Sequence, residues 1–265
     1  MSFNLGNTTI GELYVGSNKI AQAYLGSTLV YQAGSQPPQV PANHVRCKFK
    51  PGFVPVKWGY IIYIADGGTL VDADENIWDV YKRNNQWGGV FSDCGDLLEV
   101  IGMNTTNVNQ DMNNMFSHCT ALSSVGIFDT SNITNMYGMF TDCSSLNTIP
   151  SFNTSNVTSM HAMFARCTSL SSIPTLDTSN VTDMDYMFYN CTGLKNVPLF
   201  DTSKVTSMDS TFEGCWYVES GALALYQQAS TQTTPPTRHS WTFHECGAAT
   251  QTGAAELAQI PSDWK

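Results

Sequence analysis

Positive charge is what this chain most lacks: 12 Lys and Arg stand against 22 Asp and Glu, a formal net charge of −10. A surface for nucleic acid or an anionic membrane needs clustered Lys and Arg, so both partner classes are excluded. Charge of either sign is thin, at 13% of residues, while Ser, Thr, Asn and Gly are plentiful. Such polar, turn-rich surfaces suit secreted proteins or virus particles better than a cytosolic enzyme. No apolar run approaches the roughly 18 residues that span a bilayer, so no membrane insertion is expected. The longest apolar stretch, Tyr60 to Ala65, reads as a buried strand. Met1 to Gly6 has neither the basic start nor the apolar run of a secretory signal. Either an export signal has been trimmed, or the protein leaves its cell inside a virus particle, which is the reading preferred here.

Patterns of catalysis and ligation are missing too. His44, His118, His161, His239 and His244 share no metal spacing, and no Gly-x-Ser-x-Gly elbow, phosphate-binding loop or zinc motif occurs. His239, His244 and Cys246 can be drawn as a ligand set, but a structural role is the simpler assignment. Asp66, Asp72, Asp74 and Glu75 gather near Gly67-Gly68 without the spacing of an EF-hand loop. No catalytic residue, cofactor or metal is therefore expected.

What the sequence does have is periodicity, the first thing to seek in any chain. Cys119, Cys143, Cys167, Cys191 and Cys215 recur at a strict 24-residue spacing and so share one repeat position. A cysteine in such a position is a small, readily buried hydrophobe, and a ladder of stacked thiols is expected rather than a disulfide framework. Cys47, Cys94 and Cys246 lie outside that register. Each repeat reads Met112-x-x-Met115-Phe116-x-x-Cys119, returning from Met136, Met160 and Met184, and from Met208 with Thr211 in place of the second Met. An imperfect copy, Phe91-Ser92-Asp93-Cys94, precedes the first full one by one position more than the period. Spacing of i, i+3, i+4 and i+7 predicts one face of a short helix turned to a core.

Leu146 to Pro150, Leu170 to Pro174 and Leu194 to Pro198 then predict very short strands, each closed by proline. Asp129-Thr130-Ser131-Asn132 and its copies read as turns, the side chains of Asp129, Asn153, Asp177 and Asp201 bonding nearby backbone. One unit cannot bury its apolar face alone, so units must stack. The fold class expected is an α/β solenoid of leucine-rich-repeat-like 24-residue coils, each a short helix plus a short strand. A small β-rich segment precedes it, and capping elements close both ends.

These units closely resemble the BspA-type leucine-rich repeats of bacterial surface proteins, also found in Mycoplasma-type lipoproteins. The residues that carry the likeness are Asp177-Thr178-Ser179-Asn180-Val181-Thr182-Asp183-Met184-Asp185-Tyr186-Met187-Phe188-Tyr189-Asn190-Cys191, within residues 91–217. The resemblance implies surface display and adhesion without catalytic residues.

The flanks divide the chain further. Residues 1–34 hold a shorter repeat of period ten, in which Ile10 to Lys19 is followed by Ile20 to Leu29 and then Val30-Tyr31. Its Gly-Ser punctuation suggests hairpins. This segment is similar to the Tyr-Val-Gly/Tyr-Leu-Gly opening of many structural proteins of tailed phages, especially gut phages. That likeness implies attachment to other virion proteins through Leu13, Tyr14, Val15, Tyr24 and Leu25; the simpler assignment is a terminal β-subdomain. Residues 35–42 form a Pro-rich linker, residues 43–90 an N-terminal cap and residues 218–265 a C-terminal cap. In the C-terminal cap, helices are expected over 220–229 and 252–259 and a strand over 241–244.

Binding positions should vary between units while the frame holds. Tyr137, His161 and Tyr186 are read as one such row, with Arg166 and Tyr189 on a neighbouring row. Tyr and Arg are effective contact residues, although a solvated surface needs no binding role. The expected partners are a bacterial surface protein or glycan on the solenoid and virion structural proteins on residues 1–34, with a homo-oligomer compatible with fibre-like attachment. The function expected is a virion head or tail fibre component that binds a host-cell or mucosal surface, with a bacterial cell-surface adhesin as the rival.

Overall fold

The computed structural model describes residues 3–5, 8–10, 22–25, 28–32, 44–50, 63–64, 77–81, 88–89, 91–103 and 111–265. The chain falls into two compact units, Met1–Pro41 and Ala42–Lys265. In the first, β1 (Phe3–Leu5) pairs antiparallel with β2 (Thr8–Ile10), and β3 (Gln22–Leu25) with β4 (Thr28–Gln32). The paired ends Leu5/Thr8 and Leu25/Thr28 are separated in sequence by Gly6-Asn7 and Gly26-Ser27, dipeptides suited to tight hairpins.

In the second unit, β5 (His44–Phe49), β6 (Tyr63–Ile64), β7 (Ile77–Tyr81), β8 (Leu97–Met103) and β9 (Ser124–Val125) form a sheet ordered β6-β7-β5-β8-β9. All neighbours are antiparallel except β8 and β9, where the sheet passes into the repeats. The segment Trp58 to Ala65 contributes β6; its other residues lie outside those described.

Among the described residues, the repeats contain no helix where the sequence predicts one; Asn113–His118 and its copies are runs of turns. The reason lies in where alternate N–H groups go. Those of Met115, Ser117 and Cys119 bond three residues back, to Met112, Asn114 and Phe116. Those of Met112, Asn114, Phe116 and His118 bond instead to the carbonyls of Asn135, Tyr137, Met139 and Thr141 in the next unit. Turns closed over three residues place Met, Met, Phe and Cys on one side as a helix would, which is why the spacing misleads. Left-handed residues recur four apart, at Asn114/His118, Gly138/Asp142, Ala162/Arg166, Tyr186/Asn190 and Ser210/Gly214.

The expected strands are also nearly absent. Only β9 forms, because Gly126 keeps an N–H that donates to Val100 at 2.6 Å. At the equivalent positions Pro150, Pro174 and Pro198 have no N–H to give. The third expectation holds: Asp129, Asn153, Asp177 and Asp201 accept from the N–H of Ser131, Ser155, Ser179 and Ser203 at 2.9–3.2 Å.

The core is a set of ladders. Phe91, Phe116, Phe140, Phe164, Phe188, Phe212 and Phe243 stack with centroids 5.2–5.9 Å apart and planes within 13°. Each ring is at most 1% exposed, and full burial of such a side chain stabilises by about 1.5–3 kcal/mol. Beside them the cysteines are buried as thiols outside any disulfide. Cys119, Cys143, Cys167, Cys191 and Cys215 each donate a thiol hydrogen bond to a Phe carbonyl at 2.9–3.1 Å. Burial pushes the Cys94 thiol up to about 11 and that of Cys191 to about 12, so these groups remain protonated and unreactive.

The register does not stop at Cys215, where the sequence reading ended it. Met208, Ser210, Phe212 and Gly214 donate to the carbonyls of Arg238, Ser240, Thr242 and His244. Residues 241–244 are thus a further rung of turns rather than a strand. Helix α1 (Ala222–Thr231) lies in the longer connection to that rung, and α2 (Gln251–Leu257) follows it. Trp264 then closes the stack, 6.3 Å from Phe243. No helix among the described residues is long and apolar enough to cross a membrane.

Candidate functional site

Outward-facing positions of the same turns form a continuous face. The structure brings together all five residues picked from the repeats, though not in the rows expected. Tyr137 and His161 occupy one register position and stack at 4.8 Å and 14°. Asp185, not Tyr186, is their register mate, because Tyr186 follows His161 by one position more than the period. Tyr186 takes the left-handed position next along the chain, with φ 57°, and its ring leans back to within 5.7 Å of His161. Tyr189 meets Tyr186 edge to face at 5.7 Å, and the Arg166 guanidinium lies 5.7 Å over the Tyr189 ring. Arg166 and Tyr189 likewise differ by one register position.

Ion pairs run between units along this face. Asp93, His118, Asp142 and Arg166 form a sequence of contacts at 3.5, 3.4 and 3.3 Å. A second cluster is missed by the sequence reading altogether. The nearly buried Asp185 accepts from the Ser207 hydroxyl and, at 2.8 Å, from the Asp209 N–H. Arg238, well over a period beyond Ser207 in the chain, reaches Asp185 at 3.3 Å and Asp209 at 2.7 Å. The hydrogen bond that Arg238 donates to Asp209, then the charge of Asp185, raises the Arg238 pKa. Partial burial works to raise the Asp183 carboxyl, but the His161 hydrogen bond, the Asp185 N–H and the charges of His161 and Arg238 together hold it below the usual range.

His161, Asp183 and Asp185 place ligand atoms within 4.8 Å of one another, as a metal site would. Arg238 reaches into the same group, 3.3 Å from Asp185, so a protein cation already pairs with one of these carboxylates. His239, His244 and Cys246 do not form such a group: Cys246 is buried in the core, and the His239 ring stacks on Trp264 at 4.3 Å. Of the proposed attachment residues, Tyr24 and Leu25 fall on β3, while Leu13, Tyr14 and Val15 lie outside the described residues.

At the last rung the face carries further residues that sequence reasoning passed over. Trp241 is 57% exposed and Trp216 45% exposed. The Trp216 Nε1–H donates to Glu245 Oε2 at 2.9 Å, and the Trp241 ring lies 5.7 Å from His244. The signal was present: Thr211-Phe212-x-x-Cys215 recurs as Thr242-Phe243-x-x-Cys246, displaced by more than the 24-residue period.

Stacked units on a common frame, with an outer face that varies from unit to unit, define a repeat protein. Residues 110–222 match the family model described as "Mycoplasma protein of unknown function, DUF285", which is consistent with a BspA-type repeat protein. No curated protein and no solved structure gave a match.

Proposed function

We propose that the chain is a non-enzymatic, surface-displayed binding protein whose 24-residue units wind as a leucine-rich-repeat-like solenoid. One observation carries the reading: Tyr137, His161, Arg166, Tyr186 and Tyr189 meet on one face, while the buried Met, Phe, Leu and Cys rows supply the frame. A frame that needs none of these side chains leaves them free to make contacts, and Tyr and Arg dominate protein contact surfaces. The match over residues 110–222 supports display as a surface repeat.

The finer reading is a virion accessory protein, a head or tail fibre component. Residues 1–34 attach it to other virion structural proteins, and the repeats meet a host-cell or mucosal surface. Its support is the phage-like opening segment. A bacterial cell-surface adhesin of the BspA type is the second reading, favoured by the family match. Quantitative mass spectrometry on density-purified phage particles and on cell envelopes separates them. Fixed stoichiometry with the major capsid protein supports the virion reading, and enrichment in envelopes replaces it with the adhesin. Deleting residues 1–35 is expected to abolish particle attachment and leave the repeats folded; retained attachment rejects the division of labour.

A further inference from the structure

The left-handed position that holds Asn114, Gly138, Ala162 and Ser210 also holds Tyr186 and Trp241, at φ 57° and 59°. Glycine and asparagine adopt this backbone at little cost, whereas a bulky side chain does so at a penalty. Burial does not compensate here, since Tyr186 is 41% and Trp241 57% exposed. Folding therefore gains little from either ring, and such outliers point towards contacts made outside the chain.

The two rings are not equivalent as platforms. Tyr186 is packed by His161 on one side and by Tyr189 edge-on. Tyr137 and His161 cover each other's faces, leaving edges and a phenol outward. Trp241, by contrast, has only the tilted His244 ring beside it among the described aromatic contacts. Trp216 is held by its bond to Glu245, and Glu245 Oε1 has no partner among the described residues. An oriented indole beside a carboxylate with a free oxygen is the donor set that a sugar ring uses. The electropositive C–H face of a pyranose meets the negative face of the indole, and its hydroxyls donate to the carboxylate. The chain's charge of −10, with Glu245 on this rung and Glu213 on the one before it, disfavours an anionic sugar.

We propose that the last rung carries a neutral-glycan subsite, with Trp241 and Trp216 as stacking surfaces and Glu245 as hydroxyl acceptor. This rests on the reading of the chain as a surface-binding protein and names its ligand chemistry. A wall polysaccharide and a mucin-type glycan share that chemistry, so the probes must distinguish them.

The test is affinity electrophoresis of the full chain through gels holding mannan, galactomannan, laminarin or purified mucin, with alginate as the anionic control. Retardation by at least one neutral probe and none by alginate is expected, weakened about tenfold or more by Trp241→Ala or Glu245→Gln with unchanged melting. Trp216→Phe keeps a ring in place should Trp216→Ala fail to fold. Mannan, galactomannan or laminarin as the active probe means a wall-type polysaccharide; mucin alone, losing its effect on deglycosylation, means a mucin glycan. Retardation by none of the four, or equal retardation of wild type and all variants, overturns the proposal. Binding to intact bacterial cells or mucin-coated surfaces is measured in parallel. Surface binding indifferent to Trp241 and to deglycosylation sinks the glycan site but keeps the binding reading, and no binding to either surface removes both.

Discussion

The middle units and the last rung use the same frame in different ways. From Met112 to Cys215 the units keep a 24-residue period; the last rung arrives later than that, after a connection that holds α1. Yet Phe243 lies on Phe212 at 5.9 Å and 1°, as flat as Phe164 on Phe140 at 5.7 Å and 1°. Register is therefore set by what points inward, and the length of the connection is free. Outward, the difference runs the other way: small residues occupy Gly138 and Ala162, and bulky aromatics occupy Tyr186 and Trp241, on the same backbone. The inner rows hold the fold while the outer positions change.

The comparison breaks hardest at the ladder. Phe164→Ala removes a ring with stacked neighbours on both sides and should cost about 3–5 kcal/mol in chemical denaturation, whereas Trp241→Ala should cost nothing measurable. A negligible loss for Phe164→Ala would mean that the ladder is not the source of stability. Next comes the terminal closure. Trp264→Ala uncovers Phe243 and should cost about 3 kcal/mol, seen first as faster amide exchange over α2 and residues 238–246.

Smaller effects test the outer positions. A Cβ on Gly138 would lie 2.3 Å from Asn114 Oδ1 at φ 58°, so Gly138→Ala should lower stability by about 1–2 kcal/mol. Tyr186→Asn goes the other way, raising stability by about 0.5–1 kcal/mol by relieving the left-handed strain. A fall instead would show that the Tyr186 ring is part of the frame. The smallest effect is on pH. Hydrogen bonds from the Ser131 backbone, then its side chain, hold Asp129 below the ordinary carboxyl range. The Ser179 side chain, then its backbone, does the same for Asp177, and the Ser203 backbone, then its side chain, for Asp201. Their stabilisation is present at neutral pH and is lost on acidification below about 4. Replacing all three by Asn should flatten the decline in melting temperature between neutral and acid solution.

How much was legible follows from the same inner–outer division. The Met-x-x-Met-Phe-x-x-Cys frame gave the buried rows correctly, because burial depends on spacing alone. It did not give the local backbone, because turns closed over three residues and a helix share that spacing; what separates them is the next unit's carbonyls, which no single unit contains. The short strands failed for a reason visible in retrospect at Pro150, Pro174 and Pro198, which cannot donate. For the face, Tyr137 and His161 were found by their register, and Tyr186 was found although misplaced by one position. Arg238, Trp241 and Glu245 were missed because a longer connection, the one that carries α1, hid their unit from a search at fixed period.

Along the Met-to-Cys turns the backbone bonds between units run one way: the earlier unit gives its N–H groups and the later one receives them, from Gly89 donating to Asn113 to Gly214 donating to His244. For a chain emerging from the ribosome in sequence order, each newly folded unit ends in a row of open donors until the next one is made. In sequence order, the donors of each unit are therefore made before the acceptors that will receive them. On the last rung the N–H of Phe243 goes instead to the Trp264 carbonyl.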